Sequence, residues 1–386
     1  MNQEEFQKRK IYWNSLRQKR KLQQSPSQKN TKTPKTSKTL KTKIPKTKIP
    51  KTKIPKTKPL PIPDVLKNIH YGVKTCSGIV KSKNIPCTNF AYYWEPATNK
   101  AFCGVHSSKK TRQKLPQDPL KYEKIQAEIN RRNKTIEVAT LENKKLHKQG
   151  HVIVTQLRMM KPPQHKDGYL TVLPNYKHQT RKDGFGCMRL SPKALGPVIH
   201  GMPNLPISKT LENFHQFGKI FKFELDENGN VTPESHAYRI KGMKGEPKRH
   251  KYPTSVLNKK NDGKRFMEFA AFFDKQGNER RYNYLQSRYF YCHHYELLAK
   301  QEPDFKLLRE KIKNGCSLNI SGYDGYPIEK STPWKCYNDT SKGHHFGHEL
   351  VLYSLLVIDN PRDYPWNRFY RENKNLYQDV IKCTSP

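Results

Sequence analysis

Hydrophobic residues are spread unevenly along the 386-residue chain, and only from His151 onward do they recur with a secondary-structure period. HVIVTQLRMM (151–160) alternates apolar and polar positions and predicts a strand, and GYLTVLPN (168–175) predicts another. LENFHQFGKIF (211–221) predicts a short helix with Phe214, Phe217 and Phe221 along one stripe. DFKLLREKIKNG (304–315) is an amphipathic helix closed by Gly315. GHELVLYSLLVI (347–358) is apolar on all sides and predicts a buried helix. Strands mixed with helices predict an α+β domain over residues 151–386. Ahead of it, Asp118-Pro119 opens a helix running to about His147 and ended by Gly150. Its apolar positions, Ile125, Ile129, Ile136 and Leu141, are sparse, so 118–150 reads as a basic helical linker.

Residues 1–63 follow neither period. KTKIP occurs three times over 41–55, and a five-residue repeat fits no helix face and no strand. With one Ile per repeat and prolines at 45, 50 and 55, the segment cannot bury enough surface to offset its ordering entropy. It is expected to be a disordered arm with polyproline II character. Charge adds a partner to this picture. The arm carries 19 Lys and Arg against Glu4 and Glu5, a net +17, and the whole chain carries +41. Such a chain is expected to bind nucleic acid, DNA or RNA, through Lys41, Lys43, Lys46, Lys48, Lys51 and Lys53 among others. The plain alternative is a solubilising tail; nuclear localisation is compatible with either. The N-terminus MNQEEFQKRK is no secretory signal, and the longest apolar run, Leu350 to Ile358, is far short of a membrane span. An intracellular protein without a membrane partner is expected. Eight cysteines in such a chain favour metal binding or burial over disulfides.

Four residues match a metal-ligand pattern. Cys76, Cys87, Cys103 and His106 are spaced C-x10-C-x15-C-x2-H, and Cys103-Gly-Val-His106 reads as a short knuckle. Three thiolates and an imidazole form a closed tetrahedral set, the composition of a structural zinc site. A small module over 64–117, poor in aliphatic residues, needs such a staple. The x10 spacing is wider than usual, and three buried thiols beside a surface His is the alternative.

On the helix at 211, Glu212 and Gln216 are four apart and share a face, with Lys219 one turn further on. A carboxylate beside a carboxamide at an aromatic-walled pocket can hold ribose hydroxyls, act as a base or stabilise a glycosidic cation. The run E-x-[FY]-x-Q-x-x-K resembles the signature of the NADAR superfamily, in which the helix follows a proline-containing segment; here that segment is RLSPKALGPVIHGMPNLPISKT (189–210). A second family element resembles Asn338-Asp339 through Gly343, Phe346 and Gly347, followed by the helix from Glu349. The resemblance implies an N-glycosidase acting on ADP-ribosylated guanine or related N-glycosides. It implies that Glu212 is the catalytic carboxylate and that Gln216, Lys219 and Asp339 bind the ADP-ribose-type ligand. The chain departs from the pattern where Phe346-Gly347 replaces Trp-Gly, where the usual Asn is missing, and where 223–290 looks like an insertion. An ordinary amphipathic helix with Glu212 and Lys219 facing water is the competing reading.

SRYFYCHHYELLAK, LNISGYDGYP and FGHELVLYSLL are also similar to proteins of large nucleocytoplasmic DNA viruses such as iridoviruses and chlorella viruses. That resemblance implies a viral protein in host cytoplasm, nucleus or virion, and a non-enzymatic DNA-binding or packaging role as the alternative to the glycosidase. Three further patterns stand out in the sequence. His344, His345 and His348 near Cys336, with Cys292, His293 and His294, would supply a second metal site. Asp324 in SGYDGYP would line a pocket at a strand end, although an Asp-Gly turn is the commoner meaning. RRYNYLQSRYFY (280–291) and YPWNRFY (364–370) interleave aromatic and basic residues as single-strand binders do, but alternation equally describes a core strand containing Tyr289 and Tyr291.

Overall fold

The computed structural model describes residues 76–80, 84–108, 111–115, 119–159, 161–250, 267–328, 331–341, 345–377 and 380. The arm over 1–63, with its six repeat lysines Lys41 to Lys53, lies outside the described residues. The chain divides into two compact units between Asp118 and Pro119.

The first unit is built from five short strands. β1 (Ile79–Val80) and β2 (Ile85–Pro86) form an antiparallel hairpin, with Asn84 supplying a positive φ of 51° beside the turn. β3 (Tyr93–Glu95) pairs antiparallel with both β4 (Lys100–Phe102) and β5 (Gln113–Lys114). One core cluster is only Ala91, Trp94, Ala101 and Leu115. The other is the three cysteines Cys76, Cys87 and Cys103, with Val80 and Phe102 against them.

The second unit is mixed α/β. Its first helix, α1 (Pro119–Lys145), leans on β7 (Tyr169–Leu173) and β12 (Ser317–Gly322) of the sheet that follows, where Asn143 Nδ2 donates to Gly315 O at 2.8 Å. The sheet is parallel throughout, in the order β6 (Val152–Gln156), β12 (Ser317–Gly322), β7 (Tyr169–Leu173), β8 (Phe185–Gly186). Its central strand SLNISG is buried at every position, including the polar ones. Asn319 satisfies its amide by accepting from Thr155 Oγ1 at 2.9 Å and donating to Gln164 O at 2.7 Å.

Helix α2 (Leu211–Gly218) starts where the Thr210 hydroxyl accepts Asn213 N–H at 3.2 Å. It ends earlier than its sequence pattern suggests. Gly218 packs on the Phe272 ring so closely that a Cβ there would fall 2.8 Å from it. Lys219 turns extended and begins β9 (Lys219–Ile220). β9 pairs with β10 (Phe269–Phe273), which pairs with β11 (Glu279–Tyr282), all antiparallel. The stretch 223–290 therefore contributes α3 (Pro233–Lys244), a strand pair and the start of the long α4 (Tyr284–Ala299). Tyr289 and Tyr291 belong to α4, not to a strand, because Asn283 and Gln286 form a reciprocal capping box that starts a helix there. Tyr289 is core as expected; Tyr291 is only half-buried. α5 (Pro303–Lys313), α6 (Pro333–Asn338), the buried α7 (His348–Val357) and α8 (Pro365–Glu372) complete eight helices among the described residues. None of the described helices is long and apolar enough to cross a membrane.

Candidate metal centre and candidate active site

In the first unit the hairpin closes the wide C-x10-C gap. Cys76 N–H donates to Asn89 O and Cys87 N–H donates to Gly78 O, each at 2.8 Å, so both thiols face inward. The knuckle brings Cys103 and His106 to the same point. His106 Nδ1 lies 3.5 Å from Cys76 Sγ and 3.4 Å from Cys103 Sγ. Metal bonds of zinc length at tetrahedral angles put such ligands about 3.5 Å apart. The four ligand atoms of Cys76, Cys87, Cys103 and His106 all lie within 4.8 Å of one another, and the group can hold a metal ion. Burial pushes the Cys76 thiol up; the Cys103 and Gly78 N–H groups pull it back, and the Cys103 thiol adds to the rise. Burial acts on Cys103 in the same direction, but the His106 and Val105 N–H groups and the neighbouring ligands bring it down to about 6. Gly78 is the residue that spacing alone does not reveal: a Cβ there would stand 2.5 Å from the His106 ring. Arg112 braces the knuckle by donating to Ser107 Oγ at 2.9 Å while lying over Tyr93, 4.0 Å from the ring centre.

In the second unit the proline-containing segment folds over the start of α2. Glu212 N–H donates to Pro192 O at 2.9 Å, which ties the start of α2 to that segment, and the Glu212 side chain is half-buried. Burial raises the Glu212 carboxyl above the usual range; Lys193, Lys219 and His348 pull it back, and Asp324 pushes it up further. Burial lowers the Lys219 ammonium to about 8 with help from Arg249, although Glu212 and Asp324 oppose this. Gln216 is buried and its Oε1 has no hydrogen-bond partner. Glu212 and Lys219 thus act on each other, with Lys219 arriving from a strand instead of the helix, while Gln216 stands one turn along α2. A cavity of about 10 Å³, room for about one water, lies beside Lys219, walled by Phe214, His215, Phe272 and Tyr291. A larger hollow of about 470 Å³ lies elsewhere, between α1 and α5.

Asp339 is placed differently. It caps the end of α6, and its carboxylate accepts the N–H and hydroxyl of Ser341. The acidic charge that acts on both Glu212 and Lys219 is Asp324. Asp324 lies just beyond β12, at the carboxyl edge of the parallel sheet, where open α/β sheets bind ligands. Its neighbours come from the start of α7. His348 Nε2 reaches Pro174 O at 3.2 Å, and its Nδ1 stands 3.2 Å from Glu349 Oε2. Glu349 is wholly buried. Burial raises its carboxyl; His348 pulls it back, the Asp324 charge pushes it up, and the Glu349 and Asp324 backbone N–H groups bring it down again. The sequence signal for this corner is glycine. A Cβ on Gly322 would fall 1.8 Å from Glu349 Oε1, and one on Gly347 would fall 2.6 Å from Asp324 Cβ and 2.7 Å from Glu349 Oε2.

The second histidine cluster does not assemble. Among the described residues one Cys/His group has metal-ligand geometry, and it is the one in the first unit. His345 Nδ1 pairs with Tyr284 OH at 2.9 Å, while His293 and His294 sit in aromatic contacts. His344 lies outside the described residues. Comparison with models of protein families, with curated proteins and with solved structures finds no match to the chain.

Proposed function

We propose that the protein is a nucleic-acid-associated N-glycosidase of the NADAR type, acting on ADP-ribosylated or related N-glycosides. The observation that carries this reading is that Glu212 and Lys219 act on each other in a desolvated setting, with Gln216 buried one turn along the same helix and its Oε1 without a partner. Glu212 is its catalytic carboxyl, and Gln216, with an acceptor oxygen left open, takes a sugar hydroxyl. Hydrolysis of an N-glycosidic bond passes through an oxocarbenium-like state that a nearby carboxylate stabilises. The basic arm raises the local concentration of a nucleic-acid substrate. Zinc occupies Cys76, Cys87, Cys103 and His106 in a structural role, since three thiolates and an imidazole leave no open position. Calorimetric titration of ADP-ribose into the full chain tests the site. Micromolar binding to wild type, weakened in Glu212→Gln, is expected; no binding to folded protein removes the glycosidase reading. The charge of +41 favours a second reading, a viral DNA-binding or packaging protein without enzymatic activity, which has no reason to bind ADP-ribose.

A further inference from the structure

Val105 is the most exposed large apolar side chain among the described residues, 81% accessible, and the knuckle fixes it there. Cys103 N–H donates to Cys76 Sγ and Ser107 N–H donates to Cys103 O, each at 3.1 Å, so the loop around Val105 is closed at its base. Gly104 lays the loop on the Tyr93 ring, where a Cβ would stand 3.6 Å from Cε2. Arg112 covers the same ring, 4.0 Å from its centre, and its Nη1 donates to Gly104 O at 3.3 Å and to Ser107 Oγ at 2.9 Å. Both partners are uncharged, and no carboxylate among the described residues pairs with Arg112. Tyr93 stands directly opposite Lys114 on one side and Phe102 on the other, so the three share one face of the small sheet. Phe102 packs on the cysteine cluster, and Lys114 is exposed. A second apolar residue adjoins the knuckle: Gly78 lies against the His106 ring, and Ile79, next to it, is 55% accessible.

Charge selects the occupant of this face. Residues 64–117 carry nine Lys and Arg against Asp64 and Glu95, a net +7. Glu95 is itself engaged, accepting the Ser108 N–H. Apolar tips framed by cations without carboxylate partners match a ligand that joins flat apolar faces to phosphates. In a duplex those faces are stacked away, whereas in a single strand they are open to apolar and aromatic side chains. The first unit has no helix among the described residues, the element that most duplex readers insert into a groove. We infer that the knuckle is a docking face for single-stranded nucleic acid, on which Val105 and Ile79 meet unpaired bases while Arg112 and Lys114 hold the adjoining phosphates. This rests on the reading of the chain as nucleic-acid-associated and deepens it, and it is independent of the glycosidase chemistry. The arm attracts phosphates whatever the strand; the knuckle tells unpaired bases from paired ones. A loop already closed by its own hydrogen bonds loses little freedom when a base settles on it.

Fluorescence anisotropy on the full chain tests this with three probes of one length: oligothymidylate, an abasic oligomer with the same phosphates, and a duplex. Salt of about 0.3 M weakens the arm's share of binding steeply and leaves base contacts standing. Wild type should bind oligothymidylate about 5-fold or more tighter than the abasic oligomer, and Val105→Asp should bring that ratio close to one. Val105 is exposed, so the variant should keep its metal, which metal analysis verifies. Lys46→Gln combined with Lys48→Gln in the arm should weaken both single-stranded probes alike and leave the ratio unchanged. In the unaltered chain, the methyl resonances of Val105 and Ile79 should shift on adding oligothymidylate and stay in place with the abasic oligomer. A wild-type ratio near one, or a ratio unchanged in metal-replete Val105→Asp, overturns the knuckle as a docking face and leaves the arm as the nucleic-acid contact. A Val105-dependent preference for the duplex overturns the single-strand assignment. Binding of none of the three probes, at low salt as well, overturns this inference and the nucleic-acid reading together.

Discussion

Lys219 stands at the first position of a buried strand, and burial there outweighs the two carboxyls that favour its charged form. An ordinary lysine titrates near 10.4, whereas Lys219 is brought down to about 8. The sign of the linkage follows. Between these values the unfolded chain binds the proton more tightly, so unfolding takes up protons and stability rises with pH across that window. Below pH 8 the cost of the buried ammonium is fully present, up to about 3 kcal/mol if the whole shift is realised. Lys219→Met is therefore expected to be more stable than wild type at pH 7, with the difference shrinking as pH rises toward 10. Urea unfolding of both proteins across that range checks it; a Lys219→Met protein less stable than wild type at pH 7 would show that Glu212 and Asp324 dominate Lys219 instead.

At the scale of elements, α2 is held from behind by the insertion that the sequence pattern does not explain. Arg239 of α3 donates through Nε to Phe217 O at 3.0 Å and through an Nη to Ala271 O at 2.6 Å, tying the end of α2 to β10. His250 Nδ1 lies 3.2 Å from Gln216 O, which can only accept, so that nitrogen carries a proton. Its Nε2 faces buried Glu224 at 3.1 Å. Gly242 lets α3 lie against Phe217, since a Cβ there would come within 2.2 Å of the ring. Gly242→Ala should gain up to about 1 kcal/mol of helix propensity but lose about 1–3 kcal/mol to overpacking. A net drop in the urea midpoint is expected, and a gain would mean that Phe217 can move aside without cost. These contacts mark the limit of the sequence. The apolar periods of 151–160, 168–175, 304–315 and 347–358 located real strands and helices, since each buries one face or all faces. The end of α2 was hidden because the pairing of Lys219 with Ala270 spans a stretch with no local signal. Asp324, His348 and Glu349 were hidden for the same reason, brought together only by the packing of β12 and α7 around Gly322 and Gly347.

At the scale of the molecule, charge and metal act on different parts of the chain. The first unit has a core of four residues beyond its cysteines, too little to fold without help. About one zinc per chain is expected by metal analysis, and a strong chelator should open residues 76–115 to protease while the second unit stays resistant. Resistance of 76–115 after complete metal loss would mean that buried thiols alone hold it. Nucleic-acid binding divides otherwise. The arm holds +17 in 63 residues, against +24 over the other 323, so its charge density is several-fold higher. If the arm contacts about 8 phosphates of duplex, the logarithm of the binding constant falls with the logarithm of salt at a slope near −7. Deleting residues 1–63 should remove most of that slope and leave a weak residue from the folded units. This measurement decides what the folded units contribute. A slope that survives the deletion would place the phosphate contacts on the units themselves, next to Lys193 and Arg249 at the candidate site. A slope that vanishes would make the arm a tether that delivers nucleic acid to a site recognising only its glycosidic end.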